Sequence, residues 1–216
     1  MEIVVLVAME TEHRLFLKLL GENARLGRHH ITLKRCGIGK VNAAVMAADV
    51  IRDVHPDLVI SSGVAGSCSA DVHTMDFVIG RETAYHDVWC GKEFAPGQVQ
   101  GLPKRFRAPE EYVKAALDNA DSAPGAVIPG LIASGDAFIE YKEEVQAILK
   151  KHPDALAVDM ESAALAQTCY IKGVPFISVR LISDSDNDSR YSSYKDFWKT
   201  AGENSFAFIK RFIESL

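Results

Sequence analysis

Two segments in the second half of the chain carry carboxylates in positions that could do chemistry. They are Val158-Asp159-Met160-Glu161-Ser162 and, further along, Arg180-Leu181-Ile182-Ser183-Asp184. The first places acids where a short apolar strand meets a helix. The second sets a cation and a carboxylate around the end of another apolar strand. Carboxylates at the mouth of a buried sheet are costly unless they are paired or used. In open α/β sheets, ligands bind in the crevice at the carboxyl ends of the strands. Both segments therefore point at one site, acidic and with a single nearby arginine. Glu10 and Glu12 follow the first apolar strand and add charge that would repel an anionic reactant such as phosphate. Arg25 and Arg28 fall beyond the first helix, in what reads as a surface loop.

The elements that must hold these residues alternate between strand-like and helical patterns. Strands are expected over Ile3–Val7, His30–Arg35, Leu58–Ser61, Phe77–Ala84, Val127–Ala133 and Phe176–Ile182. Helices are expected over Glu10–Leu20, Val41–Asp53, Pro109–Asn119 (with Pro in its first turn) and Glu143–His152. From Ser193 onward, Tyr194, Phe197, Trp198, Ala201, Phe208, Ile209, Phe212, Ile213 and Leu216 are spaced for one long amphipathic helix. Such alternation predicts a mainly parallel sheet with helices on both faces. No repeat or linker divides the chain, so residues 1–216 read as one domain. The least regular stretch, Tyr85 to Ala108, is long enough to suggest function or an interface.

Composition excludes several classes. The chain is 48% hydrophobic and 25% charged, ordinary for a globular protein, with a net charge of −5. Its longest basic run, Lys104-Arg105-Phe106-Arg107, reads as a solvated loop, so no nucleic-acid partner is expected. Cys36, Cys68, Cys90 and Cys169 match no metal or disulfide spacing, which predicts reduced thiols, no metal and a cytoplasmic location. The first apolar run is too short for a signal or a membrane span.

Four turns are expected after strands: Ala8-Met9-Glu10, Gly37-Ile38-Gly39-Lys40, Gly63-Val64-Ala65-Gly66-Ser67 and Ser134-Gly135-Asp136. The run from Gly63 to Gly66 would let backbone approach a ligand closely. None matches a dinucleotide or P-loop pattern, so no nucleotide cofactor is expected. Taken singly, each polar residue has a plainer reading. Glu12 suits the first turn of a helix, as Glu161 does beside Asp159. Asp184 suits a turn with Ser183, Asp186, Asn187 and Asp188, and His86-Asp87 suits a surface pair. The plain reading is harder to sustain for all of them together, each at a strand end.

In order along the chain, Ala8-Met9-Glu10-Thr11-Glu12, Gly37-Ile38-Gly39-Lys40-Val41, Ser62-Gly63-Val64-Ala65-Gly66-Ser67, Tyr85-His86-Asp87, Ala133-Ser134-Gly135-Asp136-Ala137-Phe138, Val158-Asp159-Met160-Glu161 and Arg180-Leu181-Ile182-Ser183-Asp184 resemble the 5′-methylthioadenosine/S-adenosylhomocysteine nucleosidases of the nucleoside phosphorylase superfamily. Asp159 stands where that family often has Glu, and Met75-Asp76 replaces a usual Gly-Asp. The resemblance implies a single-domain, three-layer α/β/α fold with a central mixed, mainly parallel sheet. It implies hydrolysis of an N-ribosidic bond through an oxocarbenium-like path.

The roles it implies are specific. Asp184 would be the general acid at the purine, and must carry a proton to donate it. Glu12 would hold and deprotonate the attacking water, with Arg180 orienting it. Glu161 would grip the ribose hydroxyls. Phe138 would stack on adenine and Ile139 backbone would read its edge, with Met160 under the ribose. Met9, Ile38 and Tyr194 would flank the 5′ substituent. Val64, Ala65, Gly66 and Ser183 would complete the pocket. Family members are homodimers, which makes the partner's long loop, through Phe94 or Val99, the implied donor that closes the site. A phosphorylase, a futalosine-type hydrolase and a non-catalytic nucleoside-binding protein of the same fold are the alternatives. The first would need arginines near strand one, and the last would be expected to lack one of the three acids.

Overall fold

A computed structural model describes residues 1–21, 23–184, 194, 197 and 206–216. Nine strands form one mixed sheet: β1 Glu2–Val7, β2 Asn23–Leu26, β3 His29–Arg35, β4 Leu58–Ser67, β5 Phe77–Tyr85, β6 Phe106–Arg107, β7 Val127–Ser134, β8 Ala155–Asp159 and β9 Phe176–Asp184. Among the described residues, six α-helices with full bounds accompany them: α1 Glu10–Leu20, α2 Lys40–Val54, α3 Glu110–Asp118, α4 Lys142–Leu149, α5 Ser162–Lys172 and α6 Ala207–Ser215. Every residue of β9 is buried, its Ser178, Arg180, Ser183 and Asp184 included, as in a strand covered on both faces.

The sheet does not stay open. β9 pairs in parallel with β4 and antiparallel with β5, while β4 pairs with β8, β8 with β7 and β7 with β5. These five strands close a ring. Ala65, Val78, Ile132, Ala157 and Ile182, one from each, form a single buried cluster inside it. β3, β1 and the short hairpin strand β2 extend from β4 as a wing. The expected mainly parallel sheet is present, with five parallel strand pairs. The β5–β9 pairing that closes the ring joins strands far apart in sequence and leaves no local signature.

Helices cover both faces. α1, α3 and α6 bury Phe16, Val113, Phe208 and Phe212 on one side, where Phe77 and Phe208 meet with ring centroids 4.7 Å apart. On the other side α2 and α5 meet through Ala43, Ala47, Ala163 and Ala166, small residues that permit close approach. α4 seats Val145 and Ile148 on β7 and β8.

Three sequence expectations are corrected. Gly63 to Ser67 is strand rather than turn, because Gly63 pairs with Arg180 and the run continues β4. Arg25 lies in β2 rather than in a loop, whereas Arg28 does sit in the exposed turn between β2 and β3, where it donates to the Leu216 main-chain oxygen at 2.5 Å. Arg105 is held by Glu82 and Asp154, and Phe106 is buried in β6, so the basic run is not simply solvated. His86-Asp87 is no mere surface pair, since His86 is buried and Asp87 accepts from the Asp136 N–H. The turn expected around Asp186 to Asp188 lies outside the described residues. So does much of the first half of the expected C-terminal helix, whose described end is α6.

Candidate active site

Glu12 is the third residue of α1, and its carboxylate turns back under the helix start. Its Oε2 accepts the Ala8 and Met9 N–H groups, each at 2.9 Å, and its Oε1 accepts the Val64 N–H at 3.0 Å. Three main-chain donors, two just past the end of β1 and one within β4, thus fix a residue that is 2% exposed. Burial raises its pKa, against the pull of Arg180 and those donors. Gly63 makes the approach possible. Its φ is +144°, and a Cβ there would overlap the Glu12 carboxylate and stand 3.1 Å from Arg180 Nη1.

Arg180 rises from the middle of β9 and is buried with Asp159, its Nε donating to Oδ2 at 2.8 Å. Its Nη2 donates to Ser61 Oγ at 2.8 Å and to Ser162 Oγ at 3.1 Å. Burial works against the guanidinium charge, but Asp159, Glu161 and Glu12 together hold its pKa above the ordinary arginine value. Asp159 also accepts from the Ser134 and Ser162 hydroxyls. A buried ion pair survives desolvation when its remaining lone pairs and protons are met this way.

Glu161 stands at the N-cap position of α5, and its carboxylate turns instead to the start of α2, accepting the Gly39 N–H at 2.9 Å. Its other oxygen lies 4.0 Å from Arg180 Nη2. Burial, then repulsion from Asp159, pushes its pKa up to about 7 despite Arg180 and the Gly39 N–H. Asp184 ends β9, where the register against β4 shifts between Ala65 and Gly66. Bulges of this kind re-aim side chains beside active sites. Ser183 Oγ donates to Asp184 Oδ1 at 2.8 Å.

These groups share one half-open cleft with about 670 Å³ of empty space, solvent at its mouth included. That is ample for a nucleoside-sized ligand. Glu12, Glu161 and Asp184 line it, together with Met9, Ile38, Val64, Ala65, Gly66, Phe138, Ile139, Met160, Ser183 and Tyr194. Arg180 lies behind this wall. Phe138 and Tyr194 meet edge to face at 5.6 Å, and the Tyr194 hydroxyl donates to Met9 Sδ at 3.1 Å. Among the described residues that line the cleft, none is cationic.

The sequence-predicted site residues are thus brought together, Arg180 in the supporting layer. Sequence reasoning missed what supports them. Asp159 reads as a helix-terminal acid and is instead the counter-ion of Arg180. Ser61 and Ser162, given no role from the sequence, are hydrogen-bond partners of the same guanidinium. The one available signal was a carboxylate, Asp159, at the end of an apolar strand, which needs a partner.

Residues 2–214 match the phosphorylase superfamily. A Geobacillus sp. (strain WCH70) 5′-methylthioadenosine/S-adenosylhomocysteine nucleosidase is 37% identical over 196 residues, covering 89% of this chain and 84% of that protein. The crystal structure of the nucleosidase of that name from Neisseria meningitidis, in complex with methylthio-immucillin-A, superposes with a TM-score of 0.92 at 37% identity, over 100% of this chain and 99% of that one. A futalosine hydrolase from Helicobacter pylori strain 26695 superposes at 0.89 with 28% identity, over 100% and 98% of the two chains.

Proposed function

This chain belongs to the phosphorylase superfamily and, within it, to the 5′-methylthioadenosine/S-adenosylhomocysteine nucleosidases, and we infer from that premise how its cleft works. The enzyme is a purine N-ribosyl hydrolase. It cleaves 5′-methylthioadenosine, S-adenosylhomocysteine or both, releasing adenine and the thioribose.

The observation that carries this reading is the charge of the cleft. Four acidic residues, Glu12, Asp159, Glu161 and Asp184, are in its walls, Asp184 in the protonated form its role requires, and the guanidinium behind them is committed to Asp159. Two carboxylates near a dianion repel it by about 4 kcal/mol per unit-charge pair at 4 Å, with an effective dielectric near 20. A neutral nucleophile avoids that cost, which favours water over phosphate.

The residues then take the following roles. Glu12 Oε2 is filled by two N–H donors, so Oε1, with one donor, is the oxygen able to hold and deprotonate water. Arg180 orients that water from beside Gly63. Glu161 holds the ribose hydroxyls and favours the positive charge that develops on the sugar. Asp184 gives its proton to the departing purine. Phe138 stacks on the base, Ile139 backbone reads its edge, and Met160 lies under the ribose. Met9, Ile38 and Tyr194 surround the 5′ substituent, while Val64, Ala65, Gly66 and Ser183 fill the remaining wall.

A second copy of the chain completes the mouth. Val41 and Val45 stand one turn apart on α2 at 72% and 58% exposure, and Ile38 beside the cleft is 51% exposed. This apolar strip supports a homodimer in which the partner loop brings Phe94 or Val99 to the mouth. The thiols, with no disulfide among them, support a cytoplasmic location. No helix among the described residues is long and apolar enough to cross a membrane. We place the enzyme in nucleoside metabolism and methionine salvage.

The test is incubation with methylthioadenosine, with and without millimolar phosphate, and identification of the sugar. Free methylthioribose, formed at an unchanged rate, is expected. Methylthioribose-1-phosphate as main product would overturn the hydrolase reading in favour of a phosphorylase.

A further inference from the structure

Three motifs taken up by no catalytic role meet at one point on the rim of the cleft. Lys40 begins α2, Asp87 follows β5 and Asp136 follows β7. Lys40 Nζ donates to Asp87 Oδ2 at 2.6 Å and stands 3.7 Å from Asp136 Oδ2. The Lys40 N–H donates to Asp136 Oδ1 at 2.8 Å, and the Asp136 N–H donates to Asp87 Oδ2 at 2.9 Å. Lys40 Nζ lies over the Tyr85 ring, 5.6 Å from its centroid. Two glycines make room. Gly39, at φ +90°, would put a Cβ 3.0 Å from Asp136 Oδ1, and a Cβ on Gly135 would stand 2.9 Å from Asp87 Cγ. The three side chains are 24%, 29% and 47% exposed, so this clasp is partly shielded. Burial opposes the charge on Asp87, yet Lys40 and the Asp136 N–H hold its pKa below the ordinary value.

What the clasp joins gives it meaning. Gly39, beside Lys40, donates its N–H to Glu161 at 2.9 Å. Ala137, Phe138 and Ile139, immediately after Asp136, line the other end of the cleft. One end faces the ribose and the other faces the base in the function proposed above, on which this step rests. We propose that Lys40 is a positioning residue: with Asp87 and Asp136 it fixes the spacing between the sugar-holding and base-holding walls. A ligand that spans both ends meets preset walls, whereas a ligand that fills the base end alone does not depend on that spacing.

The test compares wild type with full-length Lys40→Met, which keeps an unbranched side chain and removes the charge. We measure kcat/KM for methylthioadenosine, the affinities for methylthioadenosine and for free adenine, and the thermal melt. Misplacement of about 1 Å costs on the order of a hundredfold in rate. The expected result is therefore a ten- to hundredfold fall in kcat/KM, with adenine affinity within about threefold of wild type. Lys40→Arg should recover most of the loss. An unchanged kcat/KM would overturn the proposal, as would an equal loss of adenine and nucleoside affinity. If Lys40→Met does not fold, Asp87→Asn is read by the same assays. Wild type that binds but never cleaves methylthioadenosine would instead sink the nucleosidase reading. The two affinities would then still judge the clasp.

Discussion

At the scale of single residues, the cleft holds carboxyls away from their ordinary behaviour. Glu161, pushed up to about 7, is the one whose consequence can be measured directly. An acid with a raised folded pKa binds its proton more readily in the folded chain than in the unfolded one. It therefore adds stability at low pH, and this is lost as pH rises through about 7. Glu161→Gln should melt above wild type in mildly alkaline buffer, with the gap closing as the buffer is acidified. Thermal scans across that range check it. Catalysis needs the ionised form, so wild-type kcat/KM should fall as pH drops through about 7. Asp184→Asn should bind substrate yet lose about two to four orders of magnitude in turnover. Steady-state kinetics showing more than roughly a tenth of wild-type activity would remove it as the acid. Glu12→Gln is the more demanding variant. The plain first-turn reading makes its loss cheap, but the carboxylate accepts three main-chain N–H groups. A glutamine must turn its NH2 toward one of those donors, which should cost about 1–3 kcal/mol. Its activity must be assayed well below its melting temperature, recorded alongside. The acids themselves were legible because each stands at a strand end. The Asp159–Arg180 bond was not, since it depends on how two strands aim their side chains toward each other.

The elements explain where those aims come from. β4 was legible as an apolar run only to Ser61, because glycines in a sequence read as punctuation. In the sheet the same glycines leave space. Gly63 lets the Glu12 carboxylate and the Arg180 guanidinium approach one strand from opposite neighbours. Gly63→Ala should cost activity by about two orders of magnitude or more, because the methyl group would occupy the place of the carboxylate. It should also lower the melt, since alanine rarely adopts this φ. Kinetics and a melt on the same sample check both. Retention of half the wild-type activity would show that Glu12 and Arg180 need no such close setting. α1 was read to its observed ends, Glu10 and Leu20, from apolar spacing. The two-residue strand β6 and the hairpin strand β2 were missed because segments so short carry no periodicity.

Across the whole molecule, the layer order follows from alternating apolar runs, so it was legible. The exposed strip of α2 was not, because an apolar helix face looks the same whether its cover is its own sheet or another copy. A charge placed there, as in Val41→Glu, should yield monomers by analytical ultracentrifugation and reduce activity with them. The closed ring of five strands has a consequence in time. A polypeptide is made from its amino end, and β9 is the last of the described strands to emerge. Until then β4 and β5 both present unpaired edges, of the kind that recruit other chains. The strand that seals those edges also carries Arg180 and Asp184. Closure and competence thus arrive together. A nascent chain that stops short of residue 176 is no weakened enzyme but an unsealed, adhesive fragment that has never held a working site.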